Sequence, residues 1–467
     1  MKASPLAAIV LAAGLGTRMR SKLPKALHRL AGRPLVEHCL ALGRAAKADS
    51  IFVVARPDAE GLRQGAQGCQ VVFQTTGAGT ADALLAVPGA ILGSHQVLIL
   101  SVDVPLIRPE SLLQMLKQHR SRRPQVTMVS TALQEPGSLG RVLRSNDGSF
   151  AQVVEALEAS SEQRALTEVN VGVYCVSAGV LPGALSCLPR HGNGERYLTD
   201  VLTRVGQVDI FCLGDPTEGL GINDRRDLAM AEAVLRQRVL ERLMAAGVTI
   251  VDPSTTYVEP QVEVGQDTRI EPMTRLSGDT RIGPDCVLGP MADLRDCQVA
   301  ADCRIEYSVL VHAKLASGVS VGPFARLRPG TGLGQGVHVG SFVELKNAEI
   351  GADSKVPHLS YLGDAVIGRH VNIGAGTITC NFDGLEKHRT EVGDDVFVGS
   401  DTMLVAPVRL GSGSRTGAGS VVTKDVPEGS LAVGAPARVI RASKVRSGGA
   451  KDRSKTSQTS VMEGGHS

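Results

Sequence analysis

The most regular feature of the sequence is a set of aliphatic residues that recur at every sixth position between residues 321 and 345. They are Val321, Leu327, Leu333, Val339 and Leu345, and glycines and small or polar residues fill the gaps. A spacing of six fits neither the turn of an α-helix nor the two-residue alternation of a strand. One aliphatic side chain per short strand, followed by a turn, is typical of a chain that coils into a parallel β-helix.

The same spacing extends in both directions along the chain. An ordinary β-sandwich of short strands would not keep a count of six over so many repeats, so we expect a solenoid from about Thr249 to about Val439. The spacing slips after Leu345 and breaks over 381–390, where we expect a polar loop that projects from one coil. The further positions that keep the spacing are Val264, Ile270, Leu276, Ile282, Leu288, Val398, Leu404, Leu410, Thr416 and Val422.

The first half of the chain has a different pattern, in which short apolar runs alternate with helical segments. This alternation predicts a doubly wound, Rossmann-like parallel sheet. Ligands of such sheets bind outside the carboxyl ends of the strands. The predicted strands are 7–11, 51–55, 71–74, 97–102 and 126–131.

A third pattern joins the two halves. Apolar residues three or four apart over 224–246, with Gly247 as a stop signal, predict one long amphipathic helix. A calmodulin-target helix is the alternative interpretation. The predicted domains are therefore 1–224, a linker helix 225–247, a β-helix 248–440 and a disordered tail 441–467 that is rich in Ser, Lys, Gly and Thr.

Composition narrows the class of protein. The chain has 50 Lys+Arg against 47 Asp+Glu, and because the tail holds six basic and two acidic residues, the body is close to neutral. A near-neutral body without Trp offers no broad surface for nucleic acid. The apolar run 6–13 is too short to span a membrane and is interpreted as a buried strand. Nine scattered cysteines without a CxxC pair suit reduced thiols, so we expect a cytoplasmic protein. From the near-neutral charge and the short apolar run, we expect that it binds neither nucleic acids nor membranes.

The first predicted strand leads into a glycine-rich turn with cations nearby. Backbone N–H groups of such a turn can bind phosphate oxygens, and Arg18 and Lys25 add positive charge. Asp103 follows the predicted strand 97–102, where a carboxylate beside phosphates is a natural Mg²⁺ ligand; the alternative is a helix N-cap. The spacing differs from the Walker A and GxGxxG patterns. The turn residues predicted to lie against the phosphates are Leu11, Ala12, Ala13 and Gly14.

This glycine-rich turn, with Arg18 and then Pro24-Lys25, resembles the signature of sugar-1-phosphate nucleotidylyltransferases, which release pyrophosphate from a nucleoside triphosphate. The match is closest to the bacterial uridylyltransferases that act on N-acetylglucosamine 1-phosphate. The resemblance implies that UTP is a substrate and that Asp103 and Asn223 hold Mg²⁺. It also implies uracil contacts from Gln74, Gly79 and Thr80, and sugar contacts from Gly140, Glu155 and Asn170. The chain departs from the family at Val102, where Gly is usual, at Gly77-Ala78, where Gln-Leu is usual, and at Asp82, where His is frequent.

The solenoid resembles the left-handed β-helix acyltransferases, which are trimers with active sites between subunits. Its segments around Arg328, Lys346, His358 and Asn372 match the acetyltransferase half of the same bifunctional bacterial enzymes, the GlmU family. His358 suits a general base that takes a proton from a sugar amine before the amine attacks a thioester. The resemblance implies glucosamine 1-phosphate contacts from Arg328, Lys346, Tyr361, Asn372 and Lys387. It implies acetyl-CoA contacts from Ala375, Asn381, Phe382, Ser400, Ala418 and Arg438, with Asn381 also in reach of the sugar.

Two residues of the acetyl-CoA region depart from the family, because Phe382 stands for a usual Tyr and Arg389 for a usual Lys. The whole resemblance implies a cytoplasmic homotrimer that makes UDP-N-acetylglucosamine. Three alternative interpretations are an ADP-glucose-pyrophosphorylase-like enzyme with a regulatory β-helix, a non-enzymatic solenoid scaffold, and a zinc site. The cations and His358 argue against the first two, and the histidines of the solenoid give no ligand spacing for zinc.

Overall fold

The computed structural model describes residues 4–59, 61–62, 68–77, 79–191 and 194–440. The predicted disordered tail 441–467 and Ala78 of the predicted uracil turn lie outside the described residues. Two compact units form: one contains the residues up to Val262 together with Leu276–Asp279, and the other contains Glu263–Arg275 and the residues from Thr280 onward. Within the described ranges, none of the helices has the length and apolar character that a membrane span requires.

The first unit is built on a nine-stranded sheet. The strands of this unit are β1 Leu6–Leu11, β2 Arg29–Leu30, β3 Arg33–Pro34, β4 Ser50–Ala55, β5 Gln70–Phe73, β6 Gln96–Ser101, β7 Val126–Ala132, β8 Arg141–Arg144, β9 Phe150–Val154, β10 Glu168–Val176, β11 Val208–Cys212, β12 Thr249–Ile250 and β13 Tyr257–Val258. The order in the nine-stranded sheet is β11-β7-β10-β6-β1-β4-β5, and β8 and β9 lie off this path. Strand β1 is parallel to β4 and β6, and β11 is parallel to β7. The predicted wound sheet is confirmed, with one difference: β10 runs antiparallel to both β6 and β7.

Strand β1 is buried along its whole length, as expected for the centre of a sheet that is covered on both faces. Its side chains alternate between two cores: Ala8 and Val10 pack in one, and Ile9 and Leu11 pack in the other. The helices that cover the sheet come from between the strands. Their bounds are α1 Leu35–Ala45, α2 Thr80–Leu84, α3 Gly89–Ser94, α4 Pro109–Arg122, α5 Ser161–Arg164, α6 Val180–Ser186 and α7 Thr199–Leu202; short 3₁₀ turns are Thr17–Met19, Lys25–Leu27 and Pro216–Gly219.

The predicted long helix is present as α8, Arg225–Ala245. Its first turn is fixed by a capping box, because the Asp224 carboxylate accepts hydrogen bonds from the backbone N–H groups of Arg226 and Asp227 at 2.7 and 3.1 Å. The Asp227 carboxylate in turn accepts from the Asp224 N–H at 3.2 Å. The helix ends just before Gly247, whose positive φ of 90° suits a glycine stop.

The second unit is a stack of short strands that are parallel except for the last, which is antiparallel to the strand before it. Its strands are β14 Glu263–Val264, β15 Arg269–Ile270, β16 Arg275–Ser277, β17 Arg281–Ile282, β18 Val287–Leu288, β19 Asp293–Arg295, β20 Gln298–Val299, β21 Arg304–Ile305, β22 Val309–Val311, β23 Ala313–Leu315, β24 Ser320–Val321, β25 Arg326–Leu327, β26 Thr331–Leu333, β27 His338–Ser341, β28 Glu344–Ile350, β29 Lys355–His358, β30 Tyr361–Ile367, β31 Asn372–Ile373, β32 Ile378–Cys380, β33 Thr390–Val392, β34 Phe397–Val398, β35 Met403–Val405, β36 Val408–Leu410, β37 Arg415–Thr416, β38 Val421–Val422, β39 Leu431–Val433 and β40 Arg438–Ile440, of which β16 spans the unit boundary.

Each coil lies in register on the next. Val321 pairs with Val339, and Leu327 pairs with Leu345, so the aliphatic side chains that recur every sixth residue stack on an inner wall. These four side chains are at most 2% exposed. The predicted parallel β-helix is confirmed, and the stacked coils are consistent with the predicted left-handed winding. The slip in spacing after Leu345 corresponds to β28, which continues through seven residues instead of two or three.

The predicted loop over 381–390 is also present. Phe382 and Lys387 form an antiparallel bridge, and β33 resumes the stack at Thr390. The loop therefore carries a small hairpin of its own beside the coils.

The inner wall makes a prediction about stability. Ile305 is fully buried in β21, and its neighbour Arg304 points outward. We expect Ile305→Ala to destabilise the β-helix by about 2–5 kcal/mol, because the truncated side chain leaves a cavity. Arg304→Ala, the matched control, should change stability by less than about 0.5 kcal/mol. Urea denaturation of the two variants measures the difference. Equal midpoints would contradict the prediction.

Candidate functional sites

The first candidate site lies at the carboxyl end of β1. Leu11 and Ala12 are buried, whereas Gly14 is exposed and has open space where a Cβ would stand. Gly16 has a φ of 60°, and a side chain there would collide with Lys25. Glycine at this position therefore allows Lys25 to approach the turn that follows β1.

Lys25 and Asp103 meet at this edge of the sheet. The Lys25 Nζ lies 3.1 Å from an Asp103 carboxylate oxygen, and the other oxygen accepts a short hydrogen bond from the Ser101 hydroxyl. The Val102 N–H donates to the Leu11 carbonyl at 3.2 Å, which brings Asp103 next to the glycine-rich turn. Burial raises the pKa of Asp103, but Lys25 and Ser101 outweigh it and hold the pKa below its ordinary value.

Arg18 and Asn223 form the second pair of this site. Arg18 Nη2 donates to the Asn223 side-chain oxygen at 2.9 Å. The Ile222 N–H donates to the Asp103 carbonyl at 2.7 Å, so the Asn223 segment is fixed beside Asp103. The predicted metal ligands thus lie together, each bound to one of the predicted phosphate-binding cations.

The donor atoms at this edge fit Mg²⁺. One carboxylate and one amide oxygen are hard ligands, and Mg²⁺ commonly takes one or two protein oxygens together with phosphates and water. Among the described residues there is no group of three or more His, Cys, Asp or Glu that could form an all-protein cage.

The residues predicted to recognise uracil also lie together. The Gln74 side chain donates to the Gly79 carbonyl at 3.4 Å, and Gln74 itself follows β5. The Thr80 hydroxyl accepts from the Leu198 N–H at 2.9 Å. Gly79 has a φ of 103°, a conformation that glycine adopts without strain.

The three predicted sugar contacts form another cluster. The Asn170 N–H donates to the Gly140 carbonyl at 2.9 Å, and a side chain at Gly140 would lie beside the Glu155 carboxylate. Burial raises the pKa of Glu155 above its ordinary value, and a hydrogen bond from the Thr199 hydroxyl at 3.2 Å offsets only part of this rise. The Asn170 amide donates to the buried Tyr174 hydroxyl at 2.6 Å. Sequence reasoning did not identify Thr199, because a single Thr gives no signal without its partner.

The second candidate site is a cluster of cations on the β-helix. Arg328 Nη1 lies 3.0 Å from a Glu344 oxygen, and Glu344 pairs in register with Tyr361 on the next coil. The Lys387 ammonium, and secondarily Arg328, lower the pKa of Lys346, because like charges lie close together. Such a cluster suits a phosphate group.

Asn381 and Tyr361 join this cluster from neighbouring coils. A side chain at Gly363 would collide with both the Tyr361 hydroxyl and the Asn381 amide, so these two groups lie over the same glycine. The Asn381 amide donates to the Asp364 carboxylate at 2.5 Å. The sequence analysis assigned no role to Asp364.

His358 lies at the end of β29, in register with Ser341, and its side chain is exposed rather than turned into the apolar interior. Asn372 pairs with Lys355 on one side and with Phe397 on the other. Phe382 is 58% exposed in the hairpin of the loop.

The remaining predicted coenzyme residues occupy successive coils. The Asp401 N–H donates to the Ala375 carbonyl at 2.6 Å, and the Gly419 N–H donates to the Ser400 carbonyl at 2.8 Å, so Ala375, Ser400 and Ala418 follow one corner. Arg438 lies in β40 opposite Val433. Over the described ranges, no hydrogen bond or ion pair joins Arg438 to this row.

Comparison with known proteins first defines the class. Residues 8–173 match the family model of the MobA-like NTP transferase domain, so the first unit contains a nucleotidyltransferase domain.

Full-length relatives define the family. The chain is 42% identical over 435 residues to the bifunctional protein GlmU of Syntrophomonas wolfei, covering 92% of this chain and 97% of the relative. It is 44% identical to GlmU of Pelobacter propionicus, covering 93% and 97%, and 45% identical to GlmU of Kineococcus radiotolerans, covering 92% and 90%. The chain belongs to the GlmU family of bifunctional proteins. The predicted family is thereby confirmed, and the ADP-glucose-pyrophosphorylase-like alternative is not favoured.

The buried pair of Asn170 and Tyr174 makes a prediction. We expect Tyr174→Phe to destabilise the first unit by about 1–3 kcal/mol, because a buried amide loses its acceptor. Tyr257→Phe is the matched control, since Tyr257 is 48% exposed and its ring stays available to Arg236. Thermal denaturation of both variants measures the difference; equal shifts would contradict the prediction.

Proposed function

We propose that the chain makes UDP-N-acetylglucosamine in two consecutive steps. The β-helix transfers an acetyl group from acetyl-CoA to glucosamine 1-phosphate, and the first unit joins the product to UTP with release of pyrophosphate. The observation that carries this proposal is the presence of two separate cation clusters, each beside polar groups suited to a sugar. We assign residues 1–224 to uridylyl transfer and 248–440 to acetyl transfer, with 225–247 as the linker.

In uridylyl transfer, the sugar phosphate oxygen attacks the α-phosphate of UTP and pyrophosphate leaves. The protein contributes position and charge rather than a nucleophile. Arg18 and Lys25 hold the triphosphate, and Asp103 and Asn223 would hold Mg²⁺. When bound, the ion supplies charge neutralisation at the phosphates. Lys25 then turns from Asp103 towards phosphate oxygens.

The other residues of the first site hold the two substrates. The nucleotide lies against the backbone of Leu11, Ala12, Ala13 and Gly14. Gln74, Gly79 and Thr80 bind uracil through paired donors and acceptors, and Gly140, Glu155 and Asn170 bind the sugar in the same way.

In acetyl transfer, His358 takes a proton from the amine of glucosamine 1-phosphate, and the amine nitrogen attacks the thioester carbon. The carbon–sulfur bond breaks, and the coenzyme leaves as a thiol after protonation. Arg328, Lys346 and Lys387 hold the phosphate, and Tyr361 and Asn372 hold the sugar. Acetyl-CoA lies along Ala375, Asn381, Phe382, Ser400, Ala418 and Arg438.

A row of exposed apolar side chains supports a homotrimer. One residue per coil occupies the same corner, and neighbouring rings stack, with centroids 5.7 Å apart for Tyr307 and Phe324 and 5.4 Å apart for Phe324 and Phe342. A contiguous exposed apolar row is typical of an interface. His358 is adjacent to the last member, so a second copy that covers the row also encloses this base. The row consists of Met273, Met291, Tyr307, Phe324, Phe342 and Leu359, all at positive φ.

We place the reaction in the cytoplasm. The nine cysteines are free thiols in the structure, as a reducing compartment would keep them, and both acetyl-CoA and UTP are substrates available there.

Replacing Asp103 tests the first site. We expect Asp103→Asn to lower uridylyl transfer by about 10²–10³-fold and to raise the Mg²⁺ concentration needed for half-maximal rate, because a charged oxygen ligand is lost. Acetyl transfer by the same protein should not change. Asp58→Asn, at an exposed carboxylate in the same unit, is the matched control. Full uridylyl transfer by Asp103→Asn at limiting Mg²⁺ would refute the assignment.

Replacing His358 tests the second site. We expect His358→Asn to lower acetyl transfer by about 10²–10⁴-fold, the usual contribution of a general base, with the Michaelis constants little changed. Uridylyl transfer to N-acetylglucosamine 1-phosphate should persist. The control is His370→Asn, at another exposed histidine of the β-helix. A thiol-release assay that finds the two variants equally active would exclude His358 as the base.

A further inference from the structure

A buried carboxylate lies next to the proposed uracil turn without belonging to it. Asp82, in α2, is 5% exposed and lies between two arginines of a distant part of the chain. Its oxygens are 3.4 Å from Arg196 Nη1 and 3.7 Å from Arg190 Nη1. A buried carboxylate needs such partners, because an unpaired buried charge is strongly destabilising.

The same arginine segment contacts the uracil turn through its backbone. The Ala81 N–H donates to the Arg196 carbonyl at 3.1 Å, and the Leu198 N–H donates to the Thr80 hydroxyl. A side chain at Gly79 would collide with the Arg196 backbone. The position of Arg196 therefore determines where Gly79 and Thr80 lie.

The ion pair links the Arg196 side chain to α2. The Arg196 Nε is buried and has no hydrogen-bond partner among the described residues, so the guanidinium is not fixed through that nitrogen there. Its Nη1 donates a hydrogen bond to the Asp82 carboxylate at 3.4 Å. Loss of the Asp82 charge would leave a half-buried cation free to move towards solvent, and its backbone would follow.

We propose that Asp82 is a positioning residue for uracil recognition, acting through its ion pairs with Arg196 and Arg190 on the turn of Gly79 and Thr80. This inference rests on the proposed uridylyl transfer. A base is recognised by hydrogen bonds that weaken steeply when a donor or acceptor is displaced, so the effect should fall on UTP affinity and on the choice between uracil and cytosine.

The test compares Asp82→Asn with the full-length wild type. We expect the KM for UTP to rise about 10-fold, kcat to stay within about twofold and the KM for N-acetylglucosamine 1-phosphate to stay unchanged. The preference for UTP over CTP should fall by a similar factor. The KM for UTP of the double variant Asp82→Asn/Arg196→Gln should be no higher than that of the more affected single variant, because both substitutions remove the same ion pair.

A matched control distinguishes the positioning role of Asp82 from a purely structural one. Asp209→Asn removes a carboxylate that pairs with Arg122 at 2.9 Å elsewhere in the same unit. It should lower the melting temperature without changing the KM for UTP. If Asp82→Asn behaves in the same way, with an unchanged KM and an unchanged preference for UTP, the inference is wrong.

Calorimetric titration with UTP separates this inference from the proposed function. Wild type that binds UTP but releases no pyrophosphate with any sugar phosphate would refute the proposed reaction, while about 10-fold weaker binding by Asp82→Asn would still support the positioning role. Equal UTP affinity of the two proteins would overturn it. An unchanged KM for N-acetylglucosamine 1-phosphate shows that the unit containing Asp82 is folded in Asp82→Asn.

Discussion

Parallel pairing of strands in register is the constraint on which both candidate sites depend. In the first unit it aligns the ends of β1 and β6, which brings the glycine-rich turn to Asp103. In the β-helix it places Arg326, Glu344 and Tyr361 on successive coils, in direct register. Side chains that are distant in sequence thus meet at fixed spacing, and the buried aliphatic wall stabilises that register.

Electrostatics distinguishes the two sites. In the first, Arg18 donates to an oxygen of Asn223 and Lys25 to an oxygen of Asp103, partners that we propose phosphate oxygens replace. In the second, Lys346 and Lys387 repel each other, and an anion between them relieves that repulsion. Both arrangements favour a negatively charged phosphate over a neutral sugar.

The sequence predicted the features that depend on local periodicity. The six-residue spacing marked the inner wall, and the apolar run before Gly14 marked the central strand β1. The antiparallel direction of β10 was not predictable in this way, because alternation of helix and strand does not encode direction. Nor was the pairing of Asp82 with Arg196, since an ion pair between residues so far apart leaves no periodic trace. Arg438, assigned by resemblance, has no contact in the described residues that explains its role.

The central claim is that one chain carries two successive reactions on one amino sugar. The most direct measurement supplies wild-type protein with glucosamine 1-phosphate, UTP and Mg²⁺, and follows pyrophosphate before and after acetyl-CoA is added. We expect pyrophosphate only after acetyl-CoA is added, with one thiol released for each pyrophosphate. Rapid pyrophosphate release without acetyl-CoA, or thiol release that is never followed by pyrophosphate, would contradict it.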